Sequence, residues 1–350
     1  GVATLLPFVA RTDVERRVAI NAIGPVWDGN QVWLILGGGA IFAAWPAIYA
    51  ASFSGFYIAM FLVLATLILR PVGFEFRNKM PNGGWRTFWD YALFAGGLVP
   101  SLVFGVAFGN ILQGVPFRID ADMRVFYEGM GLFELLNPFG LLAGLVSVAM
   151  LTTHGAVYLA VKTEGPVRDR AAAYVKYGAL ATVGLFVLAG IWVAFGIKGY
   201  VITSQVVTGG PSNPMLKDVA VQSGAWLANY QAHPWMLAAP LLGIVGPLAA
   251  AGLVRIGRAG LGFVLSGVGI LGVIATAGVS MFPFLMPSSI DPKASLTVWD
   301  ASSSQLTLFV MLISTLIFLP IVLAYTGFVF RTLRGAVTAK QIEDDSAALY

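Results

Sequence analysis

The feature that most restricts the fold of this chain is a series of apolar runs, each long enough to cross a lipid bilayer. A helix needs about 20 residues to span the ~30 Å hydrocarbon layer. Ending the apolar runs at charges and turns predicts eight spans, at 24–50, 54–76, 89–112, 133–161, 172–196, 234–254, 260–284 and 306–330. The sequence therefore predicts an all-α, polytopic membrane helix bundle that forms one integral membrane domain over residues 1–350.

Composition excludes the other broad classes of protein. Hydrophobic residues make up 58% of the chain and charged residues 11%, and the mean hydropathy is +0.81. A soluble domain carries about 25% charged residues, and a disordered chain combines low hydrophobicity with high net charge. The net charge is +4, but the Lys and Arg residues are scattered between apolar runs, so we predict no nucleic-acid partner.

The apolar spans and the segments between them predict how the chain is divided into membrane helices, loops and a tail. Residues 1–9 are apolar but too short to cross a bilayer, and we expect them to be the tail of a truncated first helix. The remaining segments are a loop at 10–22, five spans within 24–196, a long loop at 197–233, three spans within 234–330 and a tail at 331–350.

The distribution of Lys and Arg predicts the orientation of the chain. Fifteen of the 21 lie on the side reached by residues 10–22, five lie on the other side, and Arg70 falls inside a span. By the positive-inside rule, residues 10–22 and 331–350 are cytoplasmic and residues 197–233 are periplasmic. We therefore expect a multi-pass membrane protein.

Asp28 is an ionisable residue inside a predicted span, within the segment GPVWDGNQVW at 24–33. Ionisable residues are costly inside a bilayer and often functional. One interpretation is a helix-start carboxylate that the positive end of the helix dipole stabilises. The other is a functional polar cluster, since Asn30 and Gln31 lie beside Asp28 between two Trp residues.

A second polar group lies near the cytoplasmic end of the next span, within the segment LRPVGFEFR at 69–77. Pro71 removes a helix hydrogen bond, and polar side chains or water can satisfy the freed carbonyl. Arg70 either extends toward the interface or pairs locally, or it has a functional role. Because the first two spans form a hairpin, Asp28 and Glu75 both lie near its cytoplasmic mouth and could belong to one hydrated, proton-carrying track.

Few residues of the chain could ligate a metal or a haem. There are no Cys residues and only two His residues, at 154 and 233, so thiolate sites are excluded and an all-protein metal cage is disfavoured. His154 lies inside a span, where the choice is between a haem ligand and a hydrogen-bonded packing residue; the lack of a second His on a facing span favours packing. Asp90, Glu134 and Asp300 are expected to cap the starts of their spans.

Seven short segments, spread over nearly all 350 residues, carry a family resemblance. They are TDVERR at 12–17, GPVWDGNQVW at 24–33, FAAWP at 42–46, RPVGF at 70–74, GVAFGN at 105–110, NPFGLLAG at 137–144 and MFPFLMPSS at 281–289. Together they resemble subunit II of cytochrome bd quinol oxidases.

The resemblance implies an electrogenic oxidase that reduces O2 to water with electrons from quinol and protons from the cytoplasm. It implies that this chain ligates no haem, supports subunit I, and contributes a proton path and an O2 entry route. Two b-type haems and one d-type haem are expected in subunit I, with a structural quinone in this subunit whose contact residues are unknown. Ubiquinol is favoured over menaquinol, and a small third transmembrane subunit and membrane lipid are further expected partners.

The resemblance also implies an architecture and roles for individual residues. Family members have nine helices, in two four-helix bundles plus a peripheral helix, which agrees with eight full spans and a truncated first helix. The proton-path carboxylates map onto Asp28 and onto Glu75, where close relatives have Asp, and the oxygen-entry Trp maps onto Trp33. The residues expected to give polar support are Trp27, Asn30, Gln31 and Arg70.

A secondary transporter is the main alternative, because helices interrupted by Gly and Pro are typical of that class. A transporter places its coordinating groups near the midplane of two repeated halves, whereas the ionisable groups here gather at the cytoplasmic mouth. A purely structural membrane scaffold is the third interpretation.

Overall fold

The computed structural model describes residues 1–129, 131–205, 209–210 and 212–344, and it is mainly helical. The α-helices within these ranges are α1 Val2–Val9, α2 Asp13–Ile23, α3 Trp27–Ala44, α4 Pro46–Gly55, α5 Tyr57–Leu67, α6 Leu69–Phe76, α7 Gly83–Gln113, α8 Leu132–Leu135, α9 Pro138–Lys162, α10 Gly165–Gly196, α11 Ala228–Ala232, α12 Ala238–Arg255, α13 Ala259–Met281, α14 Gln305–Thr332 and α15 Ala339–Asp344.

Seven helical spans among the described residues are long and apolar enough to cross a membrane. They are Tyr57–Phe76, which combines α5 and α6, then α7, α9 and α10, then Pro234–Arg255, which extends α12 by a short 3-10 turn, and finally α13 and α14. Each corresponds to one of the predicted spans from the second to the eighth. The prediction of a polytopic helical bundle is confirmed.

The first predicted span, 24–50, is divided into two helices. α3 ends before Trp45 and α4 begins at Pro46. Trp45 has φ −136° and ψ 70°, because a proline ring disfavours the α conformation in the residue before it. Ser303 stabilises the break. Its N–H donates to the Ala44 carbonyl at 2.8 Å, and its hydroxyl donates to the Ala43 carbonyl at 2.5 Å.

Two connecting segments contain further helices. Residues 10–22, which we expected to be a loop, hold most of α2, and a capping box begins it: Thr12 Oγ1 accepts from the Glu15 N–H at 3.3 Å, and Glu15 Oε2 accepts from the Thr12 N–H at 3.2 Å. The tail expected at 331–350 contains α15, and its last residues, 345–350, lie outside the described residues.

Three antiparallel two-stranded sheets lie in the longest connections. Their strands are β1 Phe117–Ile119 with β2 Val125–Tyr127, β3 Lys198–Ile202 with β4 Val219–Ser223, and β5 Phe284–Met286 with β6 Leu296–Thr297. We call this end of the bundle the hairpin face. The opposite end, where α2, α15 and the connection 77–82 lie, is the basic face. Residues 206–208 and 211 of the predicted loop 197–233 lie outside the described part of the chain.

Small residues allow the membrane-length helices to approach closely. At the crossing of α12 and α13, a Cβ added to Gly246 would lie 2.6 Å from the Gly269 Cα, so only glycine fits there. Close approach of this kind is a common basis of helix association in membranes, where burial from water supplies little driving force.

Candidate functional site

Asp28 lies in the first turn of α3, on the outer surface of the bundle near the basic face. Asn30 is also exposed, and Gln31 is half-buried, with an Oε1 atom that has no hydrogen-bond partner among the described residues. The ring of Trp27 stacks on Phe74 of α6, with centroids 4.8 Å apart and planes 12° apart. This stack holds the start of α3 against α6.

Glu75 follows Phe74 in the last turn of α6 and is exposed. The Trp27–Phe74 stack therefore brings the helix turns that carry Asp28 and Glu75 together. The two residues are 47 positions apart in the sequence, and the contact between their helix turns is the packing of their aromatic neighbours, Trp27 and Phe74.

Arg70 pairs with the backbone of α7. Its Nε donates to the Gly96 carbonyl at 2.8 Å, and its side chain is half-buried. A Cβ on Gly96 would lie 2.9 Å from the carbonyl oxygen of Thr66 in α5, so the glycine permits the close approach of α5 and α7. This is the local pairing that the sequence allowed as one interpretation, and it ties α6 to α7.

Trp33 lies on α3 with 37% of its surface exposed. At 3.6 residues per turn, five positions correspond to a rotation of roughly 140° around the helix axis from Asp28. The two side chains therefore leave α3 in different directions.

Buried ion pairs, which the sequence did not predict, join the elements of the basic face. Arg77 and Asp90 form two contacts, Nε–Oδ1 at 2.6 Å and Nη2–Oδ2 at 3.1 Å, with side chains 1% and 4% exposed. Arg16 adds a contact of 2.8 Å to Asp90, and Asp13 adds one of 2.9 Å to Arg77. Bidentate, charge-assisted pairs are among the strongest hydrogen bonds in proteins, so this network ties α2 and α6 to α7.

Two acidic residues do not cap the spans that we expected them to cap. α7 begins at Gly83, seven residues before Asp90, and Asn82 caps it by accepting from the Gly84 N–H at 2.8 Å. α14 is capped by Ser304. Asp300 instead accepts from the Thr297 N–H at 2.8 Å and pairs with the ammonium of Lys217 at 2.7 Å. Both predictions were wrong: α7 starts before its apolar run, which places Asp90 inside the helix, and Asp300 lies in the connection ahead of the Ser304 cap, bound to Thr297 and Lys217.

Glu134 was expected to cap a membrane-length helix, but it lies at the start of α8, and Asn137 caps α9. Glu134 Oε2 accepts from the Gly131 N–H at 3.0 Å at the start of the short helix α8. The membrane-length helix α9 is capped by Asn137, whose Oδ1 accepts from the Gly140 N–H at 2.8 Å. Glu134 therefore stabilises a helix start, but that of α8.

A second ion pair links α2 to α10. Arg170 approaches Glu15 with two contacts, Nη1–Oε2 at 2.8 Å and Nη2–Oε1 at 2.9 Å. These hydrogen bonds are the main reason that the pKa of Glu15 is lowered to about 2. Burial opposes the shift, and the backbone N–H groups of Arg11 and Thr12 add to it. Glu15 therefore serves both the capping box of α2 and the attachment of α2 to the bundle.

His154 packs within the bundle. Its Nδ1 lies 2.7 Å from Ser266 Oγ of α13, and its ring lies on that of Phe263, with centroids 4.5 Å apart. This is the hydrogen-bonded packing arrangement that the sequence favoured. Among the described residues, no cluster of three or more His, Cys, Asp or Glu side chains could hold a metal ion.

A largely apolar cavity of about 590 Å³ lies among α7, α9, α10, α12 and α13. Phe108, Phe139 and Phe186 contribute to its walls. Its polar groups include Tyr230 and Ser280, whose hydroxyls are 2.8 Å apart. An apolar chamber with a few convergent polar groups is typical of a small-molecule site.

The sequence matches a family model described as cytochrome bd terminal oxidase subunit II over residues 1–333. The chain belongs to the cytochrome bd oxidase subunit II family. It is 51% identical to "Cytochrome bd-I ubiquinol oxidase subunit 2" of Escherichia coli K12 over 350 residues, which are 100% of this chain and 92% of that protein. It is 33% identical over 347 residues to "Cytochrome bd ubiquinol oxidase subunit 2" of Bacillus subtilis, covering 97% of this chain and 91% of that one.

Two further likenesses agree with this family. A "Probable cytochrome oxidase subunit 2" of Haemophilus influenzae is 52% identical over 350 residues, 100% of this chain and 92% of that protein. A chain of the bd oxidase structure from Geobacillus thermodenitrificans has the same fold, with a TM-score of 0.57 at 12% identity over 90% of this chain and 86% of that chain.

Membership confirms the resemblance on which the sequence analysis relied. A cytochrome bd oxidase subunit II belongs to a membrane-bound respiratory quinol oxidase, which is an oxidoreductase whose complex contains haems. The family implies a subunit I partner, quinol and O2 as substrates, and a bacterial inner membrane. The membrane-length helices agree with a multi-pass membrane protein.

Proposed function

We propose that the chain is the non-haem-ligating subunit II of a terminal oxidase that reduces O2 to water with electrons from quinol and protons from the cytoplasm. In this role it supports subunit I and supplies it with protons and O2. The observation that carries the proposal is the position of Asp28, which lies exposed on the outside of the bundle and is linked to the turn of Glu75 by the Trp27–Phe74 stack.

Asp28 and Glu75 are proposed to carry protons toward subunit I. Glu75, at the end of α6 near the basic face, takes protons from water, and Asp28 passes them outward to the partner. A carboxylate can bind and release a proton, which is the chemistry that a proton relay requires. Trp27, Asn30, Gln31 and Arg70 support this path: the free Gln31 Oε1 offers an acceptor, and Arg70 fixes α6 on α7.

Trp33 is proposed to line the entry route for O2. O2 is apolar and more soluble in hydrocarbon than in water, and the exposed indole of Trp33 lies on a helix whose surface is otherwise apolar beyond its first turns. The rotation between Trp33 and Asp28 keeps this route apart from the proposed proton path.

The two b-type haems and the d-type haem are assigned to subunit I. This chain has no Cys and only two His residues, and His154, the one inside a span, packs against Ser266 and Phe263. Bound in the partner, the haems supply the electron transfer and O2 reduction. The contribution of this chain is to hold the partner and to deliver what the reaction consumes.

The cavity among α7, α9, α10, α12 and α13 is proposed to hold a structural quinone. Its aromatic walls suit an isoprenoid chain, and the Tyr230 and Ser280 hydroxyls are suited to a quinone carbonyl. Ubiquinol is the favoured electron donor over menaquinol. A small third transmembrane subunit and membrane lipid complete the proposed partners.

The remaining proposals concern architecture and orientation. The basic face is proposed to be cytoplasmic and the hairpin face periplasmic, which follows the positive-inside rule. In the proposed arrangement of two four-helix bundles plus one peripheral helix, with nine helices in all, α14 is the peripheral helix. None of its 28 residues, all of which are described, is buried.

The experiment that tests the function is purification of the native complex from membranes, followed by a visible spectrum and measurement of quinol-dependent O2 uptake. The oxidase predicts co-purifying b-type and d-type haems together with O2 uptake that quinol drives. A complex without haem that exchanges a solute across vesicles would instead support the secondary transporter.

A further inference from the structure

The segment 333–344, which we name the strap, leaves α14 and docks across the basic face. The Val337 N–H donates to the Lys162 carbonyl at 2.8 Å, and Val337 pairs with Thr163 in a parallel β-bridge. Beyond it, α15 packs on α2, and Ile342 of α15 is 0% exposed. The strap therefore contacts both α9 and α2 at the basic face.

Lys162 links the strap to the end of α14. Its ammonium donates to the Leu333 carbonyl at 2.5 Å and lies 3.4 Å from the Gly335 carbonyl. Leu333 is the C-terminal cap residue of α14, and a cation beside the free carbonyls of a helix end is stabilising. Gly335 has φ +106°, a conformation that favours glycine and lets the chain turn from the helix into the strap.

α14 depends on contacts at its two ends. None of its 28 described residues is buried, and its main helix neighbour among the described residues is α3. At the hairpin face it is held through Ser303, which donates to the Ala44 carbonyl. Since apolar side chains gain little by exchanging lipid for protein contacts, the middle of α14 does little to fix its position.

We propose that the strap is a latch that sets where the basic-face end of α14 lies, and that releasing it frees that end while the hairpin-face end stays attached. α14 is the neighbour of α3, the helix that carries Asp28. If the proposed function is right, the latch also sets the surface that α3 and α14 present to subunit I.

Paired cysteines test the latch in the assembled complex, because the chain contains no Cys of its own. Thr163→Cys with Val337→Cys reports the docked strap, and Ala44→Cys with Ser303→Cys reports the hairpin-face attachment. Both pairs are expected to form disulfides when membranes are treated with a mild oxidant. Ile342→Asp should lower the yield of the first pair at least tenfold and leave the second unchanged.

Two further variants sharpen the result. Ile342→Val keeps an apolar side chain in the same place and should preserve both cross-links. Lys162→Met removes the ammonium at the end of α14 and should lower the yield of the first pair severalfold. Full cross-linking of Thr163→Cys with Val337→Cys in the Ile342→Asp background would overturn the proposal. So would loss of both pairs, since the strap would then be part of the overall fold rather than a latch. These readouts do not depend on oxidase activity.

Discussion

Removal of the Asp90 carboxylate should destabilise the basic face by about 3 kcal/mol. Asp90→Asn keeps the shape of the side chain but leaves Arg77, 1% exposed, without its bidentate partner. Breaking a buried ion pair at one partner costs about 3–5 kcal/mol, since the remaining charge stays buried. Asp13 still contacts Arg77, but it is 40% exposed and also binds Arg86, so we expect the lower end of that range.

Hydrogen exchange measured by mass spectrometry on the purified complex can detect this loss, because it reports local opening. A change of about 3 kcal/mol corresponds to roughly a 100-fold larger opening constant, expected for the amides of α2 and the first turns of α7. Glu128→Gln is the matched control. Its pair with Arg118 is 3.6 Å long with both side chains 61% exposed, and such surface pairs contribute about 0–1 kcal/mol.

A double variant separates loss of the pair from general damage. Arg77→Met with Asp90→Asn removes the buried charge that the single variant leaves behind, so part of the lost protection should return. The reasoning would be refuted if Asp90→Asn exchanged no faster than Glu128→Gln, or if the double variant exchanged faster than Asp90→Asn alone.

Four further predictions follow from the site and the topology. Asp28→Asn should slow quinol-driven O2 uptake at least tenfold in a complex that assembles with its haems, and Glu75→Gln should slow it less because water can bypass a carboxylate at the mouth; an unchanged rate in Asp28→Asn would place the path elsewhere. The isolated chain should bind no stoichiometric haem, and a full haem spectrum lost in His154→Ala would contradict this. A thiol at Ala339→Cys should react from the cytoplasm, and labelling from the periplasm of intact cells would reverse the topology. Since folding lowers the pKa of Glu15 from 4.5 to about 2, its stabilisation should be complete above about pH 4.5 and lost as the pH falls through about 2; the stability difference from Glu15→Gln, measured against pH, checks this.

The sequence predicted those features that depend on the length and composition of one segment. Helices such as α9 and α13 follow from apolar runs of bilayer length between charges or turns. The division of the first span at Trp45 was also within reach, because the effect of Pro46 on the preceding residue is local. It was missed because the apolar run continues through the break.

Features that depend on long-range packing could not be predicted from the sequence. Arg16 pairs with Asp90 across 74 positions of the chain, and Arg77 pairs with Asp90 across the connection between α6 and α7. No spacing rule predicts either pair. The ion pair between Lys217 and Asp300 was not predictable from spacing either. The sequence analysis expected Asp300 to cap a helix start. In the candidate site, Asp28 and Glu75 stay predictions from the sequence, and the aromatic stack that brings their helix turns together is visible only in the structure.

The rotation between Asp28 and Trp33 on α3 has a consequence for how two substrates could share one helix. A proton needs a polar, hydrogen-bonded route, whereas O2 partitions into apolar surroundings. If both used one route, each would impede the other. With roughly 140° between the two side chains, α3 would separate the two routes, with a hydrated polar face on one side and an apolar face on the other. If the proposed roles are right, substitutions that widen the apolar route beside Trp33 should change the affinity for O2 and leave the pH dependence of turnover unchanged.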